Sequence, residues 1–216
     1  MSRLKCFLIF ILPWAKEYQR FAKTKQQANY FEFVHFKPGF HSLCWPRKNT
    51  CLLANKKNIY VGINALIGRP RTYIQGKAEV HFGNYVQLAP NVGVLSSDHD
   101  LYDQRKSIDK KVVIGDCSWV GMNSVILPRV KLGTRTIVAA GSVVTKSFPE
   151  GYCVIAGSPA KIIRHLDKER FVPWHDEEEF YGFIPKDVFE KKHSAFVKKL
   201  RDELDILITA NTESHK

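Results

Sequence analysis

The sequence of 216 residues lacks the long apolar run that a membrane span needs. Its most apolar stretch extends only from Cys6 to Leu12, whereas a helix needs about 20 apolar residues to cross a bilayer. The five cysteines are odd in number and contain no C-x-x-C pair, which excludes the common zinc and redox motifs. Free thiols in a reducing cytoplasm are the simplest interpretation.

Acidic residues are scarce relative to basic ones. The chain has 33 Lys and Arg against 21 Asp and Glu, a net charge of +12. Residues 1–60 contribute +9 (11 basic, 2 acidic), residues 61–164 contribute +6 (13 and 7), and residues 165–216 contribute −3 (9 and 12). The excess favours an anionic partner. Nucleic acid is not expected, because the aromatic residues do not interleave with a basic strip.

The N-terminus combines basic and apolar residues. Arg3 and Lys5 precede the apolar run, as in a signal peptide, but no small-x-small cleavage site follows it. One interpretation is a short helix packed on the protein or on a partner subunit. The other is a weak anchor on the inner face of a membrane. The anchor would be aided by Lys16, Arg20, Lys23 and Lys25.

An aliphatic residue recurs every six positions through the middle of the chain. The downstream series is Ile114, Val120, Ile126, Leu132, Val138 and Val144; the upstream series is Val61, Ile67, Ile74, Val80, Val86 and Val92, with one residue inserted near Pro70. A period of six fits neither a helix nor a simple strand, but fits a coil with three sides of six residues. We expect the aliphatic residue to point inward. The small residue that often follows it is expected to tolerate the corner geometry.

The repeat is interrupted once, between Val92 and Ile114, by a polar segment at residues 96–111 that contains His99. An insertion that leaves a rigid solenoid is an expected location for function. The interpretation divides the chain into an N-terminal flank (1–60) covering the first coil, a repeat domain (61–164) and a C-terminal extension (165–216). Helical apolar spacing predicts a helix over residues 187–207 of that extension.

Two segments resemble a known family. Residues 112–164, "VVIGDCSWVGMNSVILPRVKLGTRTIVAAGSVVTKSFPEGYCVIAGSPAKIIR", closely resemble the C-terminal coils of hexapeptide-repeat acetyltransferases, in particular galactoside, maltose and polysaccharide O-acetyltransferases. Residues 86–100, "VQLAPNVGVLSSDHD", resemble the coil and loop that hold the family's catalytic histidine. The resemblance implies an all-β solenoid, a left-handed parallel β-helix, with helical N- and C-terminal flanks. It also implies a homotrimer with active sites between adjacent subunits.

The resemblance places His99 at the position of the family's catalytic histidine. An imidazole can remove the proton that keeps an alcohol from attacking the thioester of acetyl-CoA. A second group often orients such a base. The candidates near it in sequence are Asp98, Asp100 and Asp103. Cys117 lies in the same region but is not at a nucleophile position of the family, and a buried thiol is expected there.

The resemblance also supplies a binding site for acetyl-CoA, the expected acyl donor. Ala140, Thr145 and Lys146 match the family's CoA-binding positions, and Lys161 and Arg164 match basic positions near the adenosine 3′-phosphate. Cationic side chains form charge-assisted bonds with phosphate. Trp119 matches a family tryptophan, which either lines the acyl pocket or packs at a corner.

The acceptor is less well defined. The family implies a sugar or glycan precursor, but this chain has Asp98-His99-Asp100 where the galactoside enzymes have Gly-His-Pro. Arg69 and Lys77 occupy the region of their sugar contacts. N-acetylation of an amino sugar or a xenobiotic is the alternative. More remote alternatives are a non-catalytic binding solenoid and a carbonic-anhydrase-like metal enzyme with His81 stacked on His99; no metal is expected for the transferase.

Overall fold

The computed structural model describes residues 14–24, 26, 28–35, 45 and 50–213. Most of the described chain forms short strands. The strands are β1 (Leu52–Ala54), β2 (Ile59–Val61), β3 (Tyr73–Gln75), β4 (Val80–Phe82), β5 (Gln87–Leu88), β6 (Gly93–Leu95), β7 (Ser97–His99), β8 (Ser107–Asp109), β9 (Val112–Ile114), β10 (Trp119–Val120), β11 (Val125–Ile126), β12 (Lys131–Leu132), β13 (Thr136–Val138), β14 (Val143–Val144), β15 (Cys153–Gly157), β16 (Ala160–His165), β17 (Phe180–Tyr181) and β18 (Ile184–Pro185). The helices are α1 (Ala15–Phe21), α2 (Tyr30–His35), α3 (Lys186–Lys192) and α4 (Ser194–Glu213).

Three parallel sheets form the sides of a prism. Face A consists of β1, β3, β6, β11 and β14; face B contains β5, β10, β13 and β15; face C contains β2, β4, β9 and β12. Along the chain, strands of faces A, C and B follow one another and then repeat, which gives about five coils. The six-residue period therefore predicts the solenoid correctly.

The inward residues form one continuous core. On face A, Ile74, Val94, Ile126 and Val144 stand in register, and all four are fully buried. The other two faces contribute equivalent aliphatic rows to the same core. Truncating such a residue to alanine costs about 2–5 kcal/mol of folding free energy. These residues stabilise the scaffold and have no chemical role.

The corners follow a different rule from the one predicted. From Cys117 onward a residue with positive φ occurs every six positions, three residues before each inward aliphatic residue. These residues are Cys117, Asn123, Arg129, Arg135 and Gly141. The glycines that follow the aliphatic residues, such as Gly115 and Gly121, are absent from this set. The prediction that they serve the corner conformation is wrong.

Close approach between coils explains these glycines. A Cβ added at Gly115 would lie 2.7 Å from the carbonyl carbon of Gly133 in the next coil. One added at Gly121 would lie 2.6 Å from the amide nitrogen of Ala140. Both distances are below van der Waals contact, so a side chain here would push the coils apart.

The solenoid begins earlier and ends differently from the predicted repeat domain. Leu52–Ala54 pairs in parallel with Tyr73–Gln75, which places the first coil's strand inside the segment 1–60 that we expected to be a flank. At the other end, β16 runs antiparallel to β15 and closes the last coil with a hairpin. The segment near Arg164 is therefore a terminal hairpin and not a further coil.

The two flanks meet in an aromatic cluster. Phe21 of α1 and Phe33 of α2 pack against Phe180 and Phe183, and all four are fully buried. Two basic residues of the N-terminal segment pair with the acidic C-terminal extension: Arg20 lies 2.7 Å from Glu178, and Lys23 lies 3.9 Å from Glu177. The apolar run from Cys6 to Leu12 and Lys25 lie outside the described residues.

The C-terminal extension covers face C. The helix predicted over 187–207 is split at His193 into α3 and α4. Phe196 of α4 packs on Tyr60 of β2, with ring centroids 4.9 Å apart. None of the helices in the described part of the chain has both the length and the apolar character that a membrane span requires.

Candidate active site

The interruption of the repeat is a hairpin. Strands β7 and β8 pair antiparallel between β6 on face A and β9 on face C, so the hairpin projects from the A–C corner of the third coil. Its base is fixed to the second coil, because the Ser96 hydroxyl donates to the carbonyls of Gln75 (2.5 Å) and Ala78 (3.2 Å). The Lys110 amide donates to the Ser96 carbonyl at 2.9 Å. A rigid scaffold thus carries the predicted catalytic segment.

His99 is exposed at the end of β7. Its Nδ1 lies 2.7 Å from the backbone carbonyl oxygen of Gln104. A carbonyl can only accept a hydrogen bond, so this contact requires the proton of a neutral ring on Nδ1. Nε2 then carries a lone pair, and no described residue bonds to it. The ring therefore has the tautomer that a general base needs.

None of the three aspartates proposed to orient the ring contacts it. Asp98 accepts the backbone N–H of His99 at 2.8 Å. Asp103 bonds the Arg105 guanidinium at 2.9 Å. Asp100 accepts the N–H groups of Tyr102 and Asp103 within the connecting turn. The group that orients the ring is the Gln104 carbonyl.

A polar cluster shares the His99 face of the hairpin. Ser97 opposes Asp109, and His99 opposes Ser107, so alternation along the strands places these four side chains on one side. The Ser107 and Ser97 hydroxyls both donate to the Asp109 carboxylate and lower its pKa. The Lys77 ammonium, 3.8 Å away, acts in the same direction. The cluster offers hydrogen-bond donors and acceptors next to the base.

Thr145 and Lys146 lie at the same corner as the hairpin. They follow β14 of face A in the fifth coil, whereas the hairpin follows β6 of face A in the third. Strands about 4.8 Å apart place them about 10 Å further along the solenoid axis. Both side chains are exposed, and the Lys146 ammonium lies 5.5 Å from the centre of the Phe148 ring.

Trp119 and Ala140 lie elsewhere in the chain. The Trp119 side chain is 49% exposed on the outside of face B. Ala140 is exposed at the B–A corner, where the amide of Gly141 bonds the carbonyl of Met122 in the coil below. Within one chain, the structure does not bring these two residues to the A–C corner that carries His99.

Lys161 and Arg164 lie on the terminal hairpin. Lys161 opposes Ala156 and Arg164 opposes Val154, and both side chains are exposed. Arg164 lines a cavity of about 540 Å³ that is also lined by Arg135 and Arg170. Three arginines against one carboxylate, Asp167, give this cavity a net positive charge.

Other chemical groups of the sequence have structural surroundings. Burial and the neighbouring Asp116 carboxylate raise the pKa of Cys117 to about 11, so its thiol stays protonated at neutral pH. His81 is fully buried, is stacked on Tyr60 and lies 3.1 Å from the Glu79 carboxylate. Within the described ranges, no three His, Cys, Asp or Glu side chains group closely enough to hold a metal ion.

Comparisons with known proteins agree with this architecture. Residues 111–146 match the family described as bacterial transferase hexapeptide (six repeats). The repeat region is a hexapeptide-repeat solenoid. A hexapeptide-repeat acetyltransferase of Vibrio cholerae, solved with acetyl-CoA, superposes on 71% of this chain and 87% of its own with a TM-score of 0.53 at 23% identity. This likeness confirms the predicted fold class, a left-handed parallel β-helix.

Sequence relatives confirm the resemblance to the hexapeptide-repeat acetyltransferases. The galactoside O-acetyltransferase of Escherichia coli K12 is 31% identical over 51% of this chain and 55% of its own length. That of Lactococcus lactis is 29% identical over 53% and 56%. The chain thus spans a little more than half the length of these relatives.

Two features of the site have no counterpart in the sequence motifs. The Gln104 carbonyl is a backbone group, and its position depends on the turn and not on the residue type. The cavity beside Arg164 depends on Arg135, which lies 29 positions earlier in the chain and faces Phe171 at 5.4 Å. A local motif that ends at Arg164 contains neither partner.

Proposed function

We propose that this chain transfers an acetyl group from acetyl-CoA to a hydroxyl group of a sugar or polysaccharide precursor. The observation that carries the proposal is His99, exposed on a hairpin of a hexapeptide-repeat solenoid, with Nδ1 bonded to a carbonyl and Nε2 left as a base. The E. coli and L. lactis relatives carry the name galactoside O-acetyltransferase, which favours a hydroxyl acceptor.

The reaction is a direct transfer. Nε2 of His99 removes the proton of the acceptor hydroxyl while its oxygen forms a bond to the thioester carbonyl carbon. A backbone N–H stabilises the resulting oxyanion. The carbon–sulfur bond then breaks, and the departing CoA thiolate takes the proton from His99. No acyl-cysteine is needed, which agrees with the raised pKa of Cys117.

The donor binds along exposed edges of the last coils. We assign Thr145 and Lys146 to CoA because they share the hairpin's corner. Lys161 and Arg164 on the terminal hairpin face the phosphates, and the cationic cavity at Arg164 supports this role. Small Ala140 and exposed Trp119 line the thioester arm.

The complete site requires more than one subunit. Trp119 and Ala140 are separated from the His99 corner within one chain, so a neighbouring copy must supply them if they act together. Faces A and B carry apolar outer residues, such as Tyr73 (38% exposed) and Trp119 (49%), which association would cover. We therefore propose a homotrimer with an active site at each junction.

The proposal is tested by an acceptor screen. The purified full chain is incubated with acetyl-CoA and free sugars, nucleotide sugars, lipid-linked oligosaccharides or amino sugars, and CoA release is measured. Mass spectrometry then locates the acetyl group. An O-acetylated product supports the proposal, and an N-acetylated product would favour the alternative acceptor class. CoA release no faster than hydrolysis for every class would contradict both.

The basic N-terminal segment is proposed to contact the inner face of a cytoplasmic membrane. Two of its cations, Arg20 and Lys23, already pair with Glu178 and Glu177. Neutralising Arg20 and Lys23 should therefore weaken binding to vesicles that contain anionic lipid only modestly. Absence of binding by the intact chain would contradict the membrane proposal.

A further inference from the structure

In the turn that connects β7 and β8, one carboxylate accepts two backbone N–H groups. Asp100 Oδ1 accepts the N–H groups of both Tyr102 and Asp103, each at 2.9 Å. The Asp100 amide donates to the Lys106 carbonyl at 3.0 Å, and the Lys106 amide donates to the Asp103 carbonyl at 2.9 Å. These four bonds define the path of the chain on both sides of Gln104.

The position of the Gln104 carbonyl decides which ring nitrogen of neutral His99 carries the proton. The carbonyl oxygen lies 2.7 Å from Nδ1 and holds the proton there. If the turn relaxed, Nδ1 would lose this acceptor, and the ring could carry its proton on Nε2 instead. In that tautomer Nε2 already carries a proton, so this nitrogen cannot take one from the acceptor hydroxyl.

We propose that Asp100 is a positioning residue: its carboxylate holds the turn that keeps the Gln104 carbonyl on Nδ1 of His99, and so keeps Nε2 free to act as the base. The proposal rests on the proposed function of His99. Asp100 acts through the turn and does not touch the reacting atoms.

The other two aspartates of the hairpin make different contacts. Asp98 bonds the amide of the residue that follows it. Asp103 bonds the Arg105 guanidinium and also accepts the backbone N–H of Arg105 at 3.2 Å, so it contacts the peptide that carries the Gln104 carbonyl and cannot serve as a control. The N–H groups of Tyr102 and Asp103 lower the pKa of Asp100, which means that the turn favours its ionised form. The control from the same turn is Leu101, whose side chain is 90% exposed.

The kinetic test compares three variants on the best acceptor from the screen. Asp100→Ala is expected to lower kcat by about 10- to 100-fold, the scale of a small misplacement of a catalytic group, with the KM for acetyl-CoA unchanged. Asp100→Asn should restore kcat to within about threefold, because an amide oxygen can also accept the two N–H bonds. Leu101→Ala should change kcat less than about twofold, because that side chain is 90% exposed.

A second readout is independent of turnover. Nitrogen chemical shifts of the histidine rings, measured with 15N-histidine labelling, report which ring nitrogen carries the proton. The His99 signal is assigned by its absence from the His99→Ala spectrum. The wild type should show the Nδ1–H tautomer, and Asp100→Ala should show a mixture, while Leu101→Ala retains the wild-type signal.

The outcomes separate the two proposals. Unchanged kcat and an unchanged His99 tautomer in Asp100→Ala would overturn the positioning role. A loss in Leu101→Ala equal to that in Asp100→Ala would also overturn it, because any disturbance of the turn would then suffice. Full activity in His99→Ala would instead overturn the proposed function. A shifted tautomer in Asp100→Ala would support the positioning role even in that case.

Discussion

Face C and face A of the solenoid are built from the same repeat but differ in what covers their outer side chains. The outer residues of face C include Tyr60 and His81, and α4 packs over them, so that His81 has no exposed surface. The outer row of face A runs through Leu52, Tyr73 and Val125. Leu52 is 63% exposed and Tyr73 is 38% exposed in the single chain.

The two faces differ in the chemistry of their outer residues. The face with polar and ionisable outer residues is covered by α4 of the same chain, where Tyr60 packs on Phe196 and His81 bonds Glu79. The faces with apolar outer residues are exposed in the single chain, and the proposed junctions between subunits would cover them. Buried charges require individual partners, whereas apolar rows require only a complementary surface.

A charge introduced on face A should have the largest effect, since it would act on subunit assembly. Val125→Glu should prevent assembly, because it buries an unpaired carboxylate at the proposed junction. Light scattering should give the mass of three 24.8 kDa chains for the wild type and of one chain for the variant. Lys198→Glu, on the exposed side of α4, is the control and should remain a trimer. A monomeric wild type, or a trimeric Val125→Glu, would contradict the assignment of face A.

The cover of face C can be loosened in a second experiment. Phe196 packs against Tyr60, Trp45 and Phe189. Phe196→Ala should lower the free energy of unfolding by about 2–3 kcal/mol, somewhat less than for a fully buried phenylalanine. The matched control is Phe31→Ala, since that side chain is 82% exposed, and its effect should stay below about 0.5 kcal/mol. Equal effects in urea titrations would show that α4 does not stabilise the solenoid.

Acid should weaken face C. Burial lowers the pKa of His81 despite its hydrogen bond to Glu79, and Nδ1 has no partner among the described residues. Because the unfolded chain binds this proton more readily, stability should fall as the pH drops below about 6.5, the ordinary histidine value. Calorimetry across pH 5–8 should show that the unfolding temperature falls more steeply with decreasing pH in the wild type than in His81→Gln. Parallel curves would contradict a role for His81.

Glu79 also makes folding stability fall with decreasing pH, but over a lower pH range than His81 does. Burial raises its pKa, but hydrogen bonds from Lys199 and His81 outweigh this effect and leave the pKa lowered. Its contribution is therefore present above the unfolded value of about 4.3 and is lost as the pH falls through the folded value. The charges that face His81 and Glu79 are Lys111, Lys199 and Glu203.

The smallest expected effect concerns the link between α4 and the hairpin base. Lys111 bonds Glu203 of α4 and lies 3.9 Å from Glu79. Lys111→Met removes both contacts but keeps the aliphatic stem, so it should cost at most about 1 kcal/mol. The midpoint of urea unfolding measures this loss. A much larger loss would mean that the hairpin and α4 unfold as one unit.

The sequence predicts the repeat, but it does not predict the corner conformations or the first coil. The inward positions, such as Ile126, are predictable because every coil imposes the same burial on the same position. The corner residue Arg129 is not, because its positive φ follows from the coil geometry and not from its residue type. The first coil at Leu52 was missed for a related reason: a strand of three residues before a turn carries too few periods to be recognised.

The features of the candidate site also differ in how far the sequence predicts them. His99 and Lys146 could be proposed as site residues because the motifs around them resemble a family. The contact between the Gln104 carbonyl and His99 could not be predicted, because it depends on the backbone path of the turn at Asp100. In the sequence alone, the three neighbouring aspartates are equally good candidates for the residue that orients the ring. The split of the C-terminal helix at His193 was also hidden, because the apolar spacing continues across it.

The most direct test of the account is the rate of acetyl transfer by His99→Ala at saturating acetyl-CoA. Calorimetry first establishes that the variant binds CoA as the wild type does, so that any loss belongs to the chemical step. The account predicts a fall in kcat of about 10²- to 10⁴-fold, the usual contribution of a general base, with trimer mass unchanged. Transfer at the wild-type rate by a variant that binds CoA normally would contradict it.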